Sequence, residues 1–177
     1  MPDQKRLSVS EQPKPFQVDV VTAEFIERNW RPNMTTELTE ASIDSMARAW
    51  YAALDRHDEL ESVLGFLVED GLEMRFPEVT AHGHSGFADW YDAVTARFFD
   101  EVHTVREVTV TSMTPTEAEV KVIVNWQAKI HDGHEAKSVW LGFDAYQTWT
   151  VVPGEDGPRL RIYTVDKLDP MPGSADL

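Results

Sequence analysis

Gln147 is the side chain whose type and position most strongly suggest chemistry, because it interrupts the otherwise apolar face of a predicted strand. Burying an amide without a partner costs about 1–3 kcal/mol, so something must satisfy it. One interpretation is a hydrogen bond to backbone or buried water. The other is an amide that orients a ligand on the floor of a pocket. The sequence leaves both open.

Histidine and aspartate supply the candidates for proton transfer. His82 and His84 are two residues apart just before a predicted helix, and Asp166 lies in the last predicted strand. Imidazole titrates near neutral pH, so either histidine can serve, although exposed loop histidines are the plainer interpretation. A zinc site needs three or four ligands, and only isolated acidic residues are nearby. We therefore predict no metal, and in the absence of a glycine-rich phosphate loop we predict no other cofactor.

Large aromatic side chains fall on the predicted inward faces of several elements. Such residues usually form a solid core, but around a concave sheet they can also line a site for a flat apolar ligand. The predicted pocket-lining residues are Trp50, Phe76, Trp90, Trp126, Phe143, Gln147 and Trp149.

Hydrophobic periodicity predicts the elements that must position these side chains. Apolar residues recur at helical spacing over about 39–56, where Thr39 or Ser42 can cap the helix, and again over about 86–100, where Ser85 is the expected cap. The period then changes to two, which is typical of long strands. Helices followed by a meander of strands indicate an α+β fold with an antiparallel sheet.

The register of the last strand, RLRIYTVDKL, stays open in the sequence. In one register Leu160, Ile162 and Thr164 face inward and Asp166 reaches the pocket rim. In the other, Tyr163 and Val165 face inward instead. Alternation alone does not separate the two.

Composition limits the classes of partner. The 177 residues carry a formal net charge of −15 and no cysteine, which excludes disulfides and thiolate metal sites. Binding to nucleic acid or to an anionic membrane needs clustered basic residues, so we expect neither and favour a neutral, apolar small molecule. We find no secretory signal or membrane-spanning run and expect a cytoplasmic protein.

The predicted organisation has one domain with extensions. We expect a disordered tail over 1–15, an extension packing on the core over 16–38, the domain over 39–169 and a coil over 170–177. The large aromatics Trp140 and Tyr146, with Ile123 beside them, lie on the outer face of the predicted sheet. A covered outer face predicts a homodimer through these residues, and the N-terminal segment is the competing cover.

The order of elements resembles the nuclear transport factor 2-like fold, and within it the SnoaL-like proteins. The stretches that carry the resemblance are AWYAALDRHDELESVLGFLVEDGLEMRFP, HGHSGFADWYDAV and GFDAYQTWTVV with the final RLRIYTVDKL. The resemblance implies a cone-shaped cavity between the sheet and the N-terminal helices. The superfamily includes isomerases, dehydratases, polyketide cyclases and binding proteins without catalysis.

The functional hypothesis is a pocket enzyme of cyclase, dehydratase or isomerase type acting on an apolar substrate, with Gln147 polarising an oxygen. Compared with the steroid isomerases, the chain has Trp50, Phe76 and Gln147 at the family's functional positions, so the isomerase base is missing. No Asp–His pair of the scytalone dehydratase kind is assigned. The alternative is a non-catalytic ligand-binding or scaffold module.

Overall fold

Three helices pack against a curved six-stranded sheet in the part of the chain that the computed structural model describes, residues 36–131, 133 and 136–177. The elements are α1 (Glu40–Asp55), α2 (Leu60–Leu64), β1 (Glu73–Arg75), β2 (Thr80–His82), α3 (Gly83–Arg97), β3 (Phe99–Met113), β4 (Ala118–Ile130), β5 (Val139–Pro153) and β6 (Pro158–Pro170). The α+β prediction is confirmed. The predicted tail over 1–15 and almost all of the extension over 16–38 lie outside the described residues.

The helix α1 forms where the sequence predicts it. Thr39 and Ser42 cap it reciprocally, each side-chain oxygen accepting the other residue's backbone N–H at 3.1 Å. Its buried face includes Trp50 and also Tyr51, which are 0% and 1% exposed. This face packs on the sheet and carries most of the helix's burial.

The sheet has the strand order β2-β1-β6-β5-β4-β3. All neighbouring strands are antiparallel except β1 and β6, which run parallel. Along β4, Val120, Val122 and Val124 are each 0% exposed, and their alternates face outward. The regular period-two pattern therefore identifies the inner face correctly.

Strand β6 contains two irregularities that explain its ambiguous sequence. Arg161 and Asp166 are each skipped in the pairing with β5, so one extra residue is accommodated at each point. An extra residue reverses which side chains face inward, and Leu160 and Tyr163 are both buried as a result. Each of the two predicted registers therefore holds over only part of the strand.

The helix α3 begins at Gly83, three residues before the predicted start, and Ser85 is not its cap. Gly83 has φ +64°, a left-handed conformation that suits glycine. The chain therefore turns directly from β2 into the helix. The helix also ends earlier than predicted, at Arg97, because β3 already begins at Phe99.

The C-terminal tail after Pro170 is anchored on the start of β5. Met171 donates its backbone N–H to the Gly142 carbonyl at 2.8 Å, and Ala175 donates to the Trp140 carbonyl at 3.1 Å. The Gly142 N–H donates to Ser174 Oγ at 2.9 Å. A Cβ at position 142 would lie 2.4 Å from the Trp140 ring and 3.0 Å from the sulfur of Met171, so only glycine fits.

Gly142→Ala should lower the free energy of unfolding by about 1–3 kcal/mol, because the added methyl displaces the Trp140 ring. Urea denaturation measures the loss. The matched control is a double-mutant cycle with Trp140→Leu, in which the clash is absent. If Gly142→Ala costs the same with and without the tryptophan ring, the crowding has another source.

Candidate active site

A cavity of about 830 Å³ lies between α3, the β1–β2 turn and the inner faces of β3 to β6. Its volume falls in the range of small-molecule sites. The wall is mainly apolar, including Val94, Val124, Ala145 and Leu168. The exposed side chains Val79 and Leu177, 45% and 48% exposed, also line it.

Four of the predicted lining residues lie on this wall: Phe76, Trp90, Trp126 and Gln147. The other three lie behind it. Trp50 and Trp149 are 0% exposed in the main core, and Phe143 belongs to a second apolar cluster with Phe98. The Trp50 ring is surrounded by Phe66, Phe87 and Tyr163, with ring centroids 5.9 to 6.3 Å away, so it contributes to packing and not to the wall.

Phe76 and Trp90 form a parallel stack on one side of the cavity. Their ring centroids are 3.8 Å apart with an interplanar angle of 5°. Trp90 Nε1 donates to Glu78 Oε1 at 3.2 Å, which holds the indole in place. The stack gives the cavity one flat aromatic wall.

An aspartate–histidine pair lies on the opposite side, where α1 ends beside the start of β3. His103 Nδ1 is 2.6 Å from Asp55 Oδ1, and both carboxylate oxygens accept the His103 backbone N–H at 3.0 Å. The side chains are 12% and 25% exposed. His103 lines the cavity, so the structure has an aspartate–histidine pair at the wall that the sequence did not reveal.

A second carboxylate–imidazole pair lies beside the first. Glu101 Oε2 is 2.8 Å from His57 Nε2, and Glu101 Oε1 accepts the Trp126 indole N–H at 2.9 Å. Glu101 also lines the cavity, with its side chain 9% exposed. The two pairs are crossed, since each joins one residue from the end of α1 to one from β3.

A bulge in β3 sets up this crossed arrangement. Phe99 and Val102 pair with Lys129 and Gln127, so three steps along β3 match two along β4. Asp100 has φ +52° there, and His57 has φ +50°, both unusual for residues with a side chain. Beyond the bulge, Glu101 and His103 share the inner face. No sequence pattern predicts that Glu101 and His103 face inward. The Asp55–His103 pair spans 48 residues, and the bulge breaks the alternation along β3.

Gln147 lies at the centre of a buried polar cluster. Its Oε1 accepts from the Tyr51 hydroxyl at 2.5 Å and from the Trp149 indole N–H at 2.9 Å. Tyr51 also stacks on His103, with ring centroids 4.8 Å apart. The Tyr163 hydroxyl lies beside the same amide. Trp50 stands at the position that the comparison with the steroid isomerases picks out, but the residue of α1 that contacts Gln147 is the next one, Tyr51.

The three residues predicted for proton transfer, His82, His84 and Asp166, do not all lie on the cavity wall. His82 lies on the cavity wall, and His84 does not. His84 Nε2 is buried and has no hydrogen-bond partner among the described residues. Asp166 lies at the second bulge of β6 with its side chain 41% exposed, where it accepts from the Thr148 hydroxyl and pairs with Lys121. It therefore faces away from the cavity and cannot act there.

Within residues 36–131, 133 and 136–177, no three histidine or acidic side chains converge in a way that could hold a metal ion. Over the same residues, no helix has the length and apolar character needed to span a membrane.

Burial raises the pKa of Tyr163 from 10.0 to about 12, and burial raises the pKa of Tyr51 well above the same starting value. The unfolded chain loses these protons near pH 10, while the folded chain keeps them. The stability contributed by the neutral phenols is therefore complete below pH 10 and is lost as the pH rises toward 12.

The free energy of unfolding should accordingly fall by about 2 kcal/mol between pH 10 and pH 12 from Tyr163 alone. Urea denaturation across that range measures the fall. In Tyr163→Phe the decline should be smaller by this amount, and in a Tyr51→Phe/Tyr163→Phe variant it should be smaller still. An unchanged pH dependence in both variants would contradict the assignment.

Comparison with known proteins identifies the fold. No protein-family model matches the sequence, and no curated protein matches it. A candidate scytalone dehydratase from Novosphingobium aromaticivorans is similar with a TM-score of 0.62 at 16% identity, covering 86% of this chain and 89% of that one. A candidate dehydratase of the NTF2-like family from Streptomyces avermitilis has a TM-score of 0.61 at 18% identity, covering 70% and 92%.

Hexachlorocyclohexane dehydrochlorinase LinA-type3 from Novosphingobium barchaimii has a TM-score of 0.61 at 13% identity, covering 77% of this chain and 92% of that one. At such identities the likeness concerns the fold alone. The chain therefore has the nuclear transport factor 2-like fold that its order of elements resembles.

Proposed function

We propose that the protein is an enzyme of lyase or isomerase type that removes a proton from a carbon atom of a neutral, apolar substrate. His103 is the base and Asp55 positions it. The observation that carries this proposal is the 2.6 Å Asp55–His103 contact on the wall of a large apolar cavity. An oriented imidazole at such a site is a common general base.

The carboxylate of Asp55 determines which nitrogen of His103 is basic. A carboxylate accepts, so Nδ1 carries the proton and Nε2 keeps its lone pair. None of the described residues forms a hydrogen bond with Nε2, which leaves it available to a ligand. When Nε2 takes a proton, the adjacent carboxylate stabilises the imidazolium that forms.

The surroundings of His103 restrict its ring. Tyr51 stacks on it at 4.8 Å and Trp126 lies in a similar plane at 6.4 Å between centroids. Both carboxylate oxygens of Asp55 are also tied to the His103 backbone. A base held in one orientation inside an apolar site loses little entropy when it reacts.

The names of similar proteins support an elimination. Dehydratases remove water and a dehydrochlorinase removes hydrogen chloride, and both are among the structures with this fold. A single base beside a hydrophobic cavity suits the proton-removal half of such reactions. A cyclase reaction would need the same base, and the substrate decides between them.

The alternative function is a non-catalytic binding or scaffold module, which a cavity wall without titratable groups would favour. His103 and Glu101 on the cavity wall remove that reason. His82 and Asp166, the bases predicted from the sequence, are less well placed than His103 to act on a ligand in the cavity. His82 is at the rim beside the β1–β2 turn, and Asp166 points away from the site.

The elimination of 5-nitrobenzisoxazole tests the base directly. Base removes the ring C–H proton, the electron pair forms a nitrile as the N–O bond breaks, and the opened ring is a coloured cyanonitrophenolate. We expect the protein to accelerate this reaction and His103→Ala to lower kcat/KM by about 10²–10⁴-fold. Asp55→Asn should lower kcat by about tenfold or more with little change in KM, because an amide can donate to Nδ1 and stabilise the wrong tautomer.

His82→Gln and Asp166→Asn are the matched controls, and both should retain kcat/KM within about threefold. Circular dichroism establishes that each variant folds. If the protein binds the compound without accelerating its elimination, or if His82→Gln abolishes the reaction while His103→Ala does not, this function is wrong.

We also propose that the protein forms a homodimer through the outer sheet face around Ile123, Trp140 and Tyr146. Tyr146 is 36% exposed, a large fraction for an aromatic ring in the middle of a strand. Light scattering at micromolar concentration should give twice the chain mass of 20.1 kDa. Tyr146→Glu should shift the mass toward the monomer, and Met113→Glu at the strand end should not. A monomeric mass for the unmodified protein would refute this arrangement.

A further inference from the structure

A second ionisable side chain faces the cavity next to the proposed base. Glu101 lies two residues before His103 on β3, and both side chains are on the inner face and line the cavity. Side chains two residues apart on one face of a strand are about 7 Å apart. A substrate that contacts His103 at one atom can therefore contact Glu101 a few atoms further along.

The hydrogen bonds of Glu101 leave part of its carboxylate available. Oε1 accepts the Trp126 indole N–H at 2.9 Å, and Oε2 lies 2.8 Å from His57 Nε2. A carboxylate has about four positions at which it accepts hydrogen bonds, so two remain. Because the side chain is only 9% exposed and lines the cavity, a ligand has better access to these positions than bulk water has.

His57 connects this carboxylate with solvent. An ionised carboxylate only accepts, so the proton in the 2.8 Å contact is on His57 Nε2. The His57 side chain is 30% exposed, and none of the described residues forms a hydrogen bond with its Nδ1. An imidazole can release a proton from one nitrogen while it takes up another at the second nitrogen. His57 can therefore carry protons from water to Glu101.

The two crossed pairs differ in which partner faces the cavity. In the first pair His103 lines the cavity and Asp55 lies behind it, whereas in the second pair Glu101 lines the cavity and His57 lies behind it. An imidazole supported by a carboxylate is suited to take up a proton. A carboxylate with a proton-bearing imidazole behind it is suited to deliver one.

The backbone on both sides of the Glu101–His57 contact has an unusual conformation. His57 has φ +50°, and Asp100, which precedes Glu101, has φ +52°. Left-handed conformations are unfavourable for residues with a Cβ, and those that persist cluster at functional sites. Both of these residues help to orient the same pair. The strain is therefore located where it brings His57 and Glu101 together.

We propose that Glu101 is the general acid of this cavity and that His57 resupplies its proton from water. The proposal rests on the proposed function, in which His103 removes a proton from carbon. The C–H electron pair then forms the new π bond, and the bond to a leaving oxygen breaks with its electron pair.

The protons balance over the whole cycle. The leaving oxygen takes a proton from Glu101 as His57 Nε2 passes its own proton to the carboxylate. His57 Nδ1 takes up a proton from water, and His103 later releases to water the one that it removed from carbon. No other reactant is needed.

An acid beside the base narrows the class of leaving group. A halide departs without a proton, whereas a basic oxygen leaves far more easily when it is protonated as its bond breaks. The pairing of Glu101 with His103 therefore suits a neutral substrate that loses an oxygen group close to the carbon that loses its proton.

The elimination of unsubstituted 1,2-benzisoxazole, compared with that of 5-nitrobenzisoxazole, tests the proposal. Both compounds lose the same C–H proton, but the unsubstituted ring opens to a more basic phenolate and gains more from an acid. The ratio of kcat/KM between the nitro and the unsubstituted compound should be about tenfold or more below the same rate ratio for free imidazole in water. Glu101→Gln should raise this ratio by about tenfold or more.

His57→Gln tests the supply of protons. The glutamine amide can still donate to Glu101 but cannot pass a proton on, so the ratio should rise in this variant as well. A purely structural role of His57 would lower kcat/KM for both compounds equally. Circular dichroism establishes that each variant folds.

Glu78→Gln is the matched control. Glu78 also lines the cavity and accepts an indole N–H, that of Trp90 at 3.2 Å, but among the described residues no histidine forms a hydrogen bond with it. The ratio in this variant should stay within about twofold of that in the unmodified protein. An equal rise in Glu78→Gln and Glu101→Gln would overturn the proposal.

Two further results overturn it. One is a ratio in the unmodified protein as large as that of free imidazole, which includes no measurable reaction of the unsubstituted compound. The other is a folded Glu101→Gln variant in which both compounds react more slowly by the same factor.

His103→Ala separates this proposal from the proposed function, because it should abolish the reaction of both compounds. A protein that needs His103 but keeps its ratio in Glu101→Gln retains the elimination and loses the general acid. A protein that eliminates neither compound loses both.

Discussion

Two polar side chains of α1, Tyr51 and Asp55, each form a hydrogen bond with a partner on the sheet that the helix packs against. Asp55 on the helix is matched by His103 on β3, and Tyr51 is matched by Gln147 on β5. Each unmatched group would cost about 1–3 kcal/mol, comparable to a sizeable part of a domain's stability. The positions of these partners therefore fix how the helix lies across the strands.

The same matching explains why the cavity is polar at so few points. Where α1 contacts the sheet, hydrogen bonds and aromatic packing fill the interior, and Trp50 and Trp149 are sealed there. Where the sheet continues toward α3, the walls are apolar and diverge around a space of about 830 Å³. His103, Glu101 and Gln147 lie along the boundary between the two regions. Hydrogen bonds from neighbouring side chains hold each of these three side chains in place.

Much of the fold could be predicted because it follows from local periodicity. The buried face of α1 and the alternation along β4 are set by residues three, four or two apart, and both were correct. The same local periodicity correctly predicted four residues of the cavity wall, namely Phe76, Trp90, Trp126 and Gln147. Trp50 and Trp149 also point inward but lie in the core, because periodicity gives the direction of a side chain and does not distinguish a cavity wall from the core behind it.

The chemistry was harder to predict because it depends on irregular backbone. The extra residue near Asp100 turns Glu101 and His103 to the inner face, and the extra residue at Arg161 shifts the alternation along β6 so that Asp166 faces outward. Neither bulge has a glycine to mark it, and the partners that explain each side chain are 44 and 48 residues away along the chain. Hydrophobic periodicity carries no information at that range.

The position of Tyr51 between His103 and Gln147 has a consequence for how the site can vary. The base and the amide are not independent parts, since both rest on one ring carried by one helix. His103 on β3 and Gln147 on β5 are held at a fixed separation by the sheet, and Tyr51 from α1 contacts both of them. Sequence change can thus reshape the apolar walls and admit new ligands while the reacting groups keep a constant mutual geometry.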